Sequence, residues 1–83
     1  MPKIEVYTGP GCRYCDRAKR LLDEKGLVYR ELDVSEPAAL DELRARLPRV
    51  RALPQIFIDG EHVGSFEDLE HLENSGRLRE LGN

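Results

Sequence analysis

Two cysteines three residues apart, in the stretch TGPGCRYCD, carry the side chains of this chain that are best suited to covalent chemistry. Cys12 directly follows a glycine-proline-glycine turn, and Cys15 lies at the start of a charged run. Such a pair can be a structural crosslink, half of a zinc site or a reactive dithiol. The choice among these three decides the function, because no other residues offer comparable chemistry.

The first two possibilities fit the sequence poorly. A disulfide between residues this close would restrict the unfolded chain little and would add little stability. A zinc site would need two further ligands. The histidines, His62 and His71, are distant from the cysteines and lack the spacing of about three to five residues that such sites show. We interpret His62 as an ordinary strand residue and His71 as an exposed helix residue, and we expect no metal.

A reactive dithiol fits the position of the cysteines at the start of a predicted helix. Cys12 falls where unpaired backbone N–H groups and the helix dipole favour a thiolate. Cys15 would lie one turn later, close enough to attack a mixed disulfide formed on Cys12. A CxxC pair beside a strand-helix-strand pattern is typical of thioredoxin-like redox sites. We therefore assign Cys12 as the attacking cysteine and Cys15 as the resolving cysteine.

The composition limits the cellular setting and the partners. With 83 residues, the chain is long enough for one domain, which we place at residues 1–83. The net charge of −3 gives no basis for nucleic-acid binding. The sequence shows no apolar stretch of membrane-spanning length, and from its first residues we expect no signal peptide. One close cysteine pair suits a reducing compartment. We expect a cytoplasmic protein that binds neither nucleic acid nor membranes.

The apolar periodicity predicts an α/β fold with a four-stranded mixed sheet flanked by helices. The predicted strands cover residues 3–8, 27–32, 55–59 and 61–65. The predicted helices cover residues 13–25, a segment that starts after Ser35 as N-cap, and 66–76, with a final turn at 77–81. Asp59 and Gly60 predict a hairpin between the last two strands, and Ser65 with Asp68 predicts a capping box.

Three segments together resemble the glutaredoxins. GCRYC is similar to the family's C-P-Y-C active site, and ALPQIFIDGEHVGS is similar to its T-V-P-x-[IV]-F-[IV] segment with the following glycine pair. FEDLEHLENSGRL is similar to its C-[DS]-D-L helix, and the resemblance covers nearly the whole chain. It implies a thioredoxin fold and a glutathione-dependent thiol-disulfide oxidoreductase, which reduces protein disulfides and glutathione mixed disulfides.

The resemblance also implies where glutathione would bind. Pro54 would be cis, so that the Leu53 backbone lies beside Cys12 and pairs with the cysteinyl backbone of glutathione as a short extra strand. The N–H groups of Phe66 and Glu67 would hold the γ-glutamyl carboxylate. The residues expected to bind glutathione are Arg13, Tyr14, Arg51, Leu53, Pro54, Gly64, Phe66 and Glu67. Glutathione would be a co-substrate, with no permanently bound cofactor.

The chain departs from the family pattern at several of these positions. Arg13 replaces the motif proline, and Gly9 stands where the family usually has a lysine near the glycyl carboxylate of glutathione. Ala52 replaces a threonine, and Ser65 and Phe66 replace the second glycine and the following cysteine. We expect Arg13, with Arg49 and Arg51 as further candidates, to supply the missing cation.

Two other functions remain open on the sequence. One is a glutaredoxin-like hydrogen donor, such as those that serve ribonucleotide reductase, recycled by thioredoxin reductase. The other is a carrier in which Cys12 of two subunits and two glutathiones hold a [2Fe-2S] cluster. For the oxidoreductase, which we favour over both, we expect a monomer whose partners are glutathione and disulfide-containing or glutathionylated proteins.

Overall fold

The computed structural model describes residues 2–81, and its elements follow the predicted order. The strands are β1 (Ile4–Thr8), β2 (Arg30–Asp33), β3 (Gln55–Ile58) and β4 (Glu61–Gly64), and the helices are α1 (Arg13–Glu24), α2 (Pro37–Arg46), α3 (Phe66–Asn74) and α4 (Arg77–Leu81). The strand order in the sheet is β2-β1-β3-β4. Strand β1 pairs parallel with β2 and antiparallel with β3, and β3 pairs antiparallel with β4. The mixed four-stranded sheet is thus confirmed.

Strand β1 is buried on both faces because it lies inside the sheet with helices on either side. Its alternating residues point to opposite faces, so Ile4 and Val6 enter one core and Tyr7 enters the other. The first core is formed by residues of the sheet, of α1 and the turn after it, and of α3 and α4, namely Ile4, Val6, Ala18, Leu22, Leu27, Ile56, Phe66, Leu69 and Leu78. The second core lies under α2 and contains Tyr7, Leu32, Ala39, Leu43 and Phe57.

A buried ion pair fastens α2 to the sheet. Glu5 is only 1% exposed, and Arg46 donates to its two carboxylate oxygens at 3.0 and 3.4 Å. The hydrogen bond to Glu5 raises the pKa of Arg46, and the guanidinium also lies 4.5 Å from the centre of the Phe57 ring. Beside it, burial and a hydrogen bond to Glu42 raise the pKa of Tyr7 to about 12. Both Glu5 and Tyr7, which face α2 from β1, are therefore hydrogen-bonded.

The predicted starts of β2 and α2 were wrong, and several other element ends differ from the prediction by one or two residues. Strand β2 begins at Arg30, because Leu27 belongs to the turn after α1, where its N–H donates to the Leu22 carbonyl. Helix α2 has Glu36 as its N-cap, without a capping side-chain bond. The Ser35 N–H instead donates to the Asp33 carboxylate at 2.8 Å, and this bond lowers the pKa of Asp33. In the part of the chain that the structure describes, no helix has the length and apolar character needed to cross a bilayer.

Replacing Arg46 by leucine should lower the free energy of unfolding by about 3 kcal/mol, because the buried Glu5 carboxylate would lose both hydrogen bonds from Arg46. Urea unfolding followed by circular dichroism at pH 7 measures the loss. Arg44→Leu, an exposed position on the same helix, is the matched control and should cost under about 0.5 kcal/mol. If Arg46→Leu is as stable as the control, Glu5 does not depend on Arg46.

Candidate active site

The sheet topology brings the cysteine loop and the Pro54 loop to the same edge. Tyr7 near the end of β1 is directly opposite Gln55 at the start of β3. The residues that follow β1 and those that precede β3 therefore leave the sheet side by side. A Cβ placed on Gly9 would lie 2.8 Å from Leu53 Cδ1, which shows how closely the two loops pack.

The two cysteines occupy the first turn of α1 in the oxidised form. They are joined in a disulfide, with their Cα atoms 5.2 Å apart. Cys12 is the N-cap, with extended backbone angles, and its sulfur accepts a hydrogen bond from the Cys15 N–H at 3.1 Å. Cys12 is partly exposed, whereas Cys15 is 1% exposed. A molecule arriving from solvent can therefore reach the Cys12 sulfur more readily.

A hydrogen-bonded cluster fixes α1 against the sheet behind the cysteines. Lys19, one turn after Cys15, donates to the Glu31 carboxylate of β2 at 2.9 Å. The hydroxyl of Thr8, the last residue of β1, donates to the same oxygen at 2.8 Å. These two hydrogen bonds, the one from Lys19 first, lower the pKa of Glu31. The middle of α1 is thus held to β2 directly and to the end of β1 through Glu31.

A cavity of about 230 Å³ lies next to Tyr14, the residue directly before Cys15. Its lining residues are Tyr14, Leu53, Pro54, Ser65, Phe66 and Glu67. Five of the eight residues predicted to bind glutathione line this cavity, and Arg13, Arg51 and Gly64 do not. Arg13 is exposed on the helix, Arg51 lines a different cavity of about 300 Å³ next to α2, and Gly64 is buried at the end of β4.

The backbone before Pro54 presents an unpaired edge. The Leu53–Pro54 bond is cis, as predicted. Across residues 2–81, no backbone group pairs with the N–H or C=O of Leu53, because the ladder between β1 and β3 ends at Gln55. Such an edge can accept an extended peptide as an additional strand.

The other wall of the cavity is the N-terminus of α3, which is held by the predicted capping box. Asp68 accepts hydrogen bonds from the Ser65 N–H at 2.8 Å and from the Ser65 hydroxyl at 3.1 Å. The first of these bonds is the main cause that lowers the pKa of Asp68. Gly64 is needed here, because its φ is 125° and a Cβ would overlap the Asp68 carboxylate. The first N–H groups of α3, those of Phe66 and Glu67, have no partner within the helix.

Sequence reasoning missed Arg17, which joins the two aromatic residues of the cavity. Its guanidinium lies 4.8 Å from the centre of the Phe66 ring and 5.4 Å from that of Tyr14. The two rings are themselves 6.0 Å apart. The i, i+3 spacing of Tyr14 and Arg17 was a usable signal, but Phe66 comes from a distant segment. Arg17 therefore makes a cation–π contact with both the cysteine motif and α3.

Comparison with known proteins agrees with this geometry. The family model described as Glutaredoxin matches residues 4–63. Glutaredoxin 3 from Escherichia coli (strain K12) is 41% identical over 81 residues, covering 98% of each chain. The solution structure of a glutaredoxin from Brucella melitensis is 44% identical with a TM-score of 0.76, covering 95% of this chain and 86% of that one. The crystal structure of a buckwheat glutaredoxin-glutathione complex is 28% identical with a TM-score of 0.80, covering 93% and 73%.

A thioredoxin fold that carries a CxxC pair at the start of its first helix defines a thiol-disulfide oxidoreductase. The matches identify the family as well. This chain belongs to the glutaredoxin family.

Asp68→Ala should lower the free energy of unfolding by about 1 kcal/mol at pH 7, because the Ser65 N–H loses its acceptor. The pKa of Asp68 is lowered in the folded protein, so its contribution is complete above about 3.9, the usual pKa of an unfolded Asp. The contribution is lost as the pH falls through the lower folded value. The difference from the unmodified protein should therefore shrink between pH 5 and pH 3.

Urea unfolding at pH 7, 5 and 3 measures this dependence. Glu70→Ala, at an exposed position on the same helix, is the control and should show no such trend. A difference that stays constant down to pH 3 would contradict a role for the ionised Asp68 carboxylate.

Proposed function

We propose that this protein is a glutathione-dependent dithiol oxidoreductase that acts as a monomer on disulfide-containing and glutathionylated proteins. The observation that carries the proposal is the unpaired Leu53 edge, which lines one cavity together with Tyr14 and the N-terminus of α3. This arrangement offers main-chain hydrogen bonds to an extended peptide and N–H groups to a carboxylate. Glutathione, a short peptide with a thiol and a γ-glutamyl carboxylate, has both features.

Reduction of a protein disulfide begins at Cys12. The thiolate, stabilised at the N-cap of α1, attacks one sulfur of the substrate, and the other sulfur leaves as a thiolate that takes up a proton. The Cys15 thiolate then attacks the Cys12 sulfur of the mixed disulfide. The second substrate thiol is released, and the Cys12–Cys15 disulfide forms. The substrate gains two electrons, which the two cysteines lose.

Two glutathione molecules return the protein to its reduced form. The first attacks Cys12, which breaks the bond to Cys15 and leaves glutathione attached to Cys12. The second attacks the sulfur of the bound glutathione, and Cys12 leaves as a thiolate. The two glutathiones depart as glutathione disulfide and have supplied the two electrons. For a glutathionylated protein, Cys12 attacks the glutathione sulfur and takes the glutathione directly. Only the attack by one further glutathione is then needed to restore Cys12. Cys15 is then dispensable.

The proposed binding mode uses the residues of the cavity. The Leu53 N–H and C=O would pair with the cysteinyl residue of glutathione, and Pro54 and Tyr14 would pack against it. The N–H groups of Phe66 and Glu67 would hold the γ-glutamyl carboxylate, with the Glu67 carboxylate near the ammonium group. The buckwheat relative was solved as a complex with glutathione, which supports a ligand of this kind.

The glycyl carboxylate of glutathione is the part for which the cavity offers no cation. Neither Arg13 nor Arg51 lines it, although both are exposed on the segments that border it. We propose that these two arginines act by long-range attraction, which salt at about 0.1 M screens beyond about 10 Å. Gly64 would contribute indirectly, by allowing Asp68 to cap α3.

The choice of reductant tests the proposal directly. The purified protein with a disulfide substrate should oxidise NADPH when glutathione and glutathione reductase are supplied, and the Cys12→Ser variant is the blank. Turnover with thioredoxin reductase but none with glutathione would reject the proposal in favour of a donor recycled by that enzyme. Visible absorption by protein purified without oxygen would favour a cluster carrier.

The two cysteines should have separable roles. Cys12→Ser should abolish reduction of both protein disulfides and glutathionylated substrates, because the attacking sulfur is gone. Cys15→Ser should abolish or greatly slow only the first reaction, since removal of glutathione needs one cysteine. A coupled NADPH assay with a glutathionylated peptide measures the difference. Equal loss of both activities in the two variants would contradict the assignment.

A further inference from the structure

We propose that Gln55, oriented by His62, is a positioning residue that aims the Leu53 N–H at the ligand. The inference rests on the proposed pairing of glutathione with Leu53. Neither side chain lines the cavity, so both would act through the backbone of the loop before Pro54. Their contacts tie this loop to the edge strand of the sheet.

Gln55 bridges two segments from a buried position. It is 4% exposed, and its Nε2 donates to the carbonyl of Ala52 at 2.9 Å. Its Oε1 lies 2.7 Å from Nε2 of His62 on β4. Because the side chain is shielded from water, an unmade hydrogen bond here would not be replaced cheaply. The amide therefore holds the Ala52 carbonyl in one direction.

The chemistry of the partners fixes the orientation of both side chains. A carbonyl oxygen can only accept, so the Gln55 amino group must face Ala52. The Gln55 oxygen then faces His62, and His62 must carry a hydrogen on Nε2 to donate to it. The His62 ring is also packed 5.1 Å from the ring centre of Phe57 in the sheet. His62 therefore donates a hydrogen bond to Gln55, and Gln55 donates one to Ala52.

Fixing the Ala52 carbonyl also fixes the Leu53 N–H. The peptide unit between these residues is planar and trans, so its C=O and N–H point in opposite directions. Since the carbonyl points toward the Gln55 side chain, the N–H points away from it. That N–H has no backbone partner among the described residues. The Gln55 amide thus sets the direction of the donor that glutathione would use.

The test separates ligand recognition from general stability. Gln55→Met keeps the length of the side chain but removes both hydrogen bonds, and it should raise the KM for glutathione about five- to tenfold with less than a twofold change in kcat. Reduction of the Cys12–Cys15 disulfide by dithiothreitol, which makes no peptide-like pairing, should keep its rate. A variant that was merely misfolded would change its rate with both reductants.

His62→Phe is the second variant, and it keeps the ring that packs on Phe57 while removing the donor. It should raise the KM for glutathione by about two- to fivefold, because Gln55 can still reach Ala52. The control is His71→Phe, which changes the exposed histidine of α3 and should leave the KM unchanged. Should Gln55→Met fail to fold, His62→Phe carries the test.

The outcomes distinguish this inference from the proposed function. If the unmodified protein shows no saturation with glutathione, the glutathione site itself is rejected, and this inference is rejected with it. If the unmodified protein saturates but Gln55→Met and His62→Phe have the same KM as His71→Phe, only the positioning role is overturned. A selective loss with glutathione, in the order Gln55→Met above His62→Phe, supports it.

Discussion

The site is built from backbone N–H groups that the fold leaves without backbone partners. They occur at three places: the first turn of α1, the edge at Leu53 and the first turn of α3. In α1 the Cys15 N–H donates to the Cys12 sulfur, and the first N–H groups of α3 belong to residues that line the cavity. An anionic sulfur and a carboxylate satisfy such donors without any positively charged side chain in the cavity. The sheet brings the three together at one edge, which explains why so small a chain can carry a site.

The two faces of the sheet are covered by different helices. Helices α1 and α3 share one apolar core, so both are packed against the same face of the sheet. Helix α2 packs on the other face, where the Glu5 and Arg46 pair and the Phe57 ring fix its position. The Phe57 ring also packs against the ring of His62. His62 is hydrogen-bonded to Gln55, and Gln55 is hydrogen-bonded to the loop before Pro54. The face without cysteines thereby contributes to the order of the site.

The sequence was sufficient for the order of the elements, the position of the cysteines and the capping box, because these depend on local patterns. Turn glycines, helical periodicity and the Ser65 and Asp68 spacing all act over a few residues. It was insufficient for contacts between distant segments. The pairing of Glu5 with Arg46, the stacking of Arg17 on Phe66 and the bond between Gln55 and His62 depend on the register of the sheet and on helix packing.

The start of β2 was predicted wrongly because it, too, depends on a contact that the sequence pattern does not show. The apolar letters at 27–32 suit a strand equally well, but the first of them closes the turn after α1. Arg51 was assigned to the site because it is close to Pro54 in sequence, yet its side chain lines a cavity against α2. Closeness along the chain does not fix which side of a loop a side chain occupies.

Leu53 packs so close to Gly9 that the residue types at these two positions depend on each other. The pattern has valine where this chain has Leu53, and lysine where it has Gly9. The longer leucine occupies the space that the first carbon of a lysine side chain would need, at 2.8 Å from the leucine methyl group. The two positions are therefore coupled, and any substitution that places a lysine at position 9 also requires the side chain at position 53 to shorten or shift.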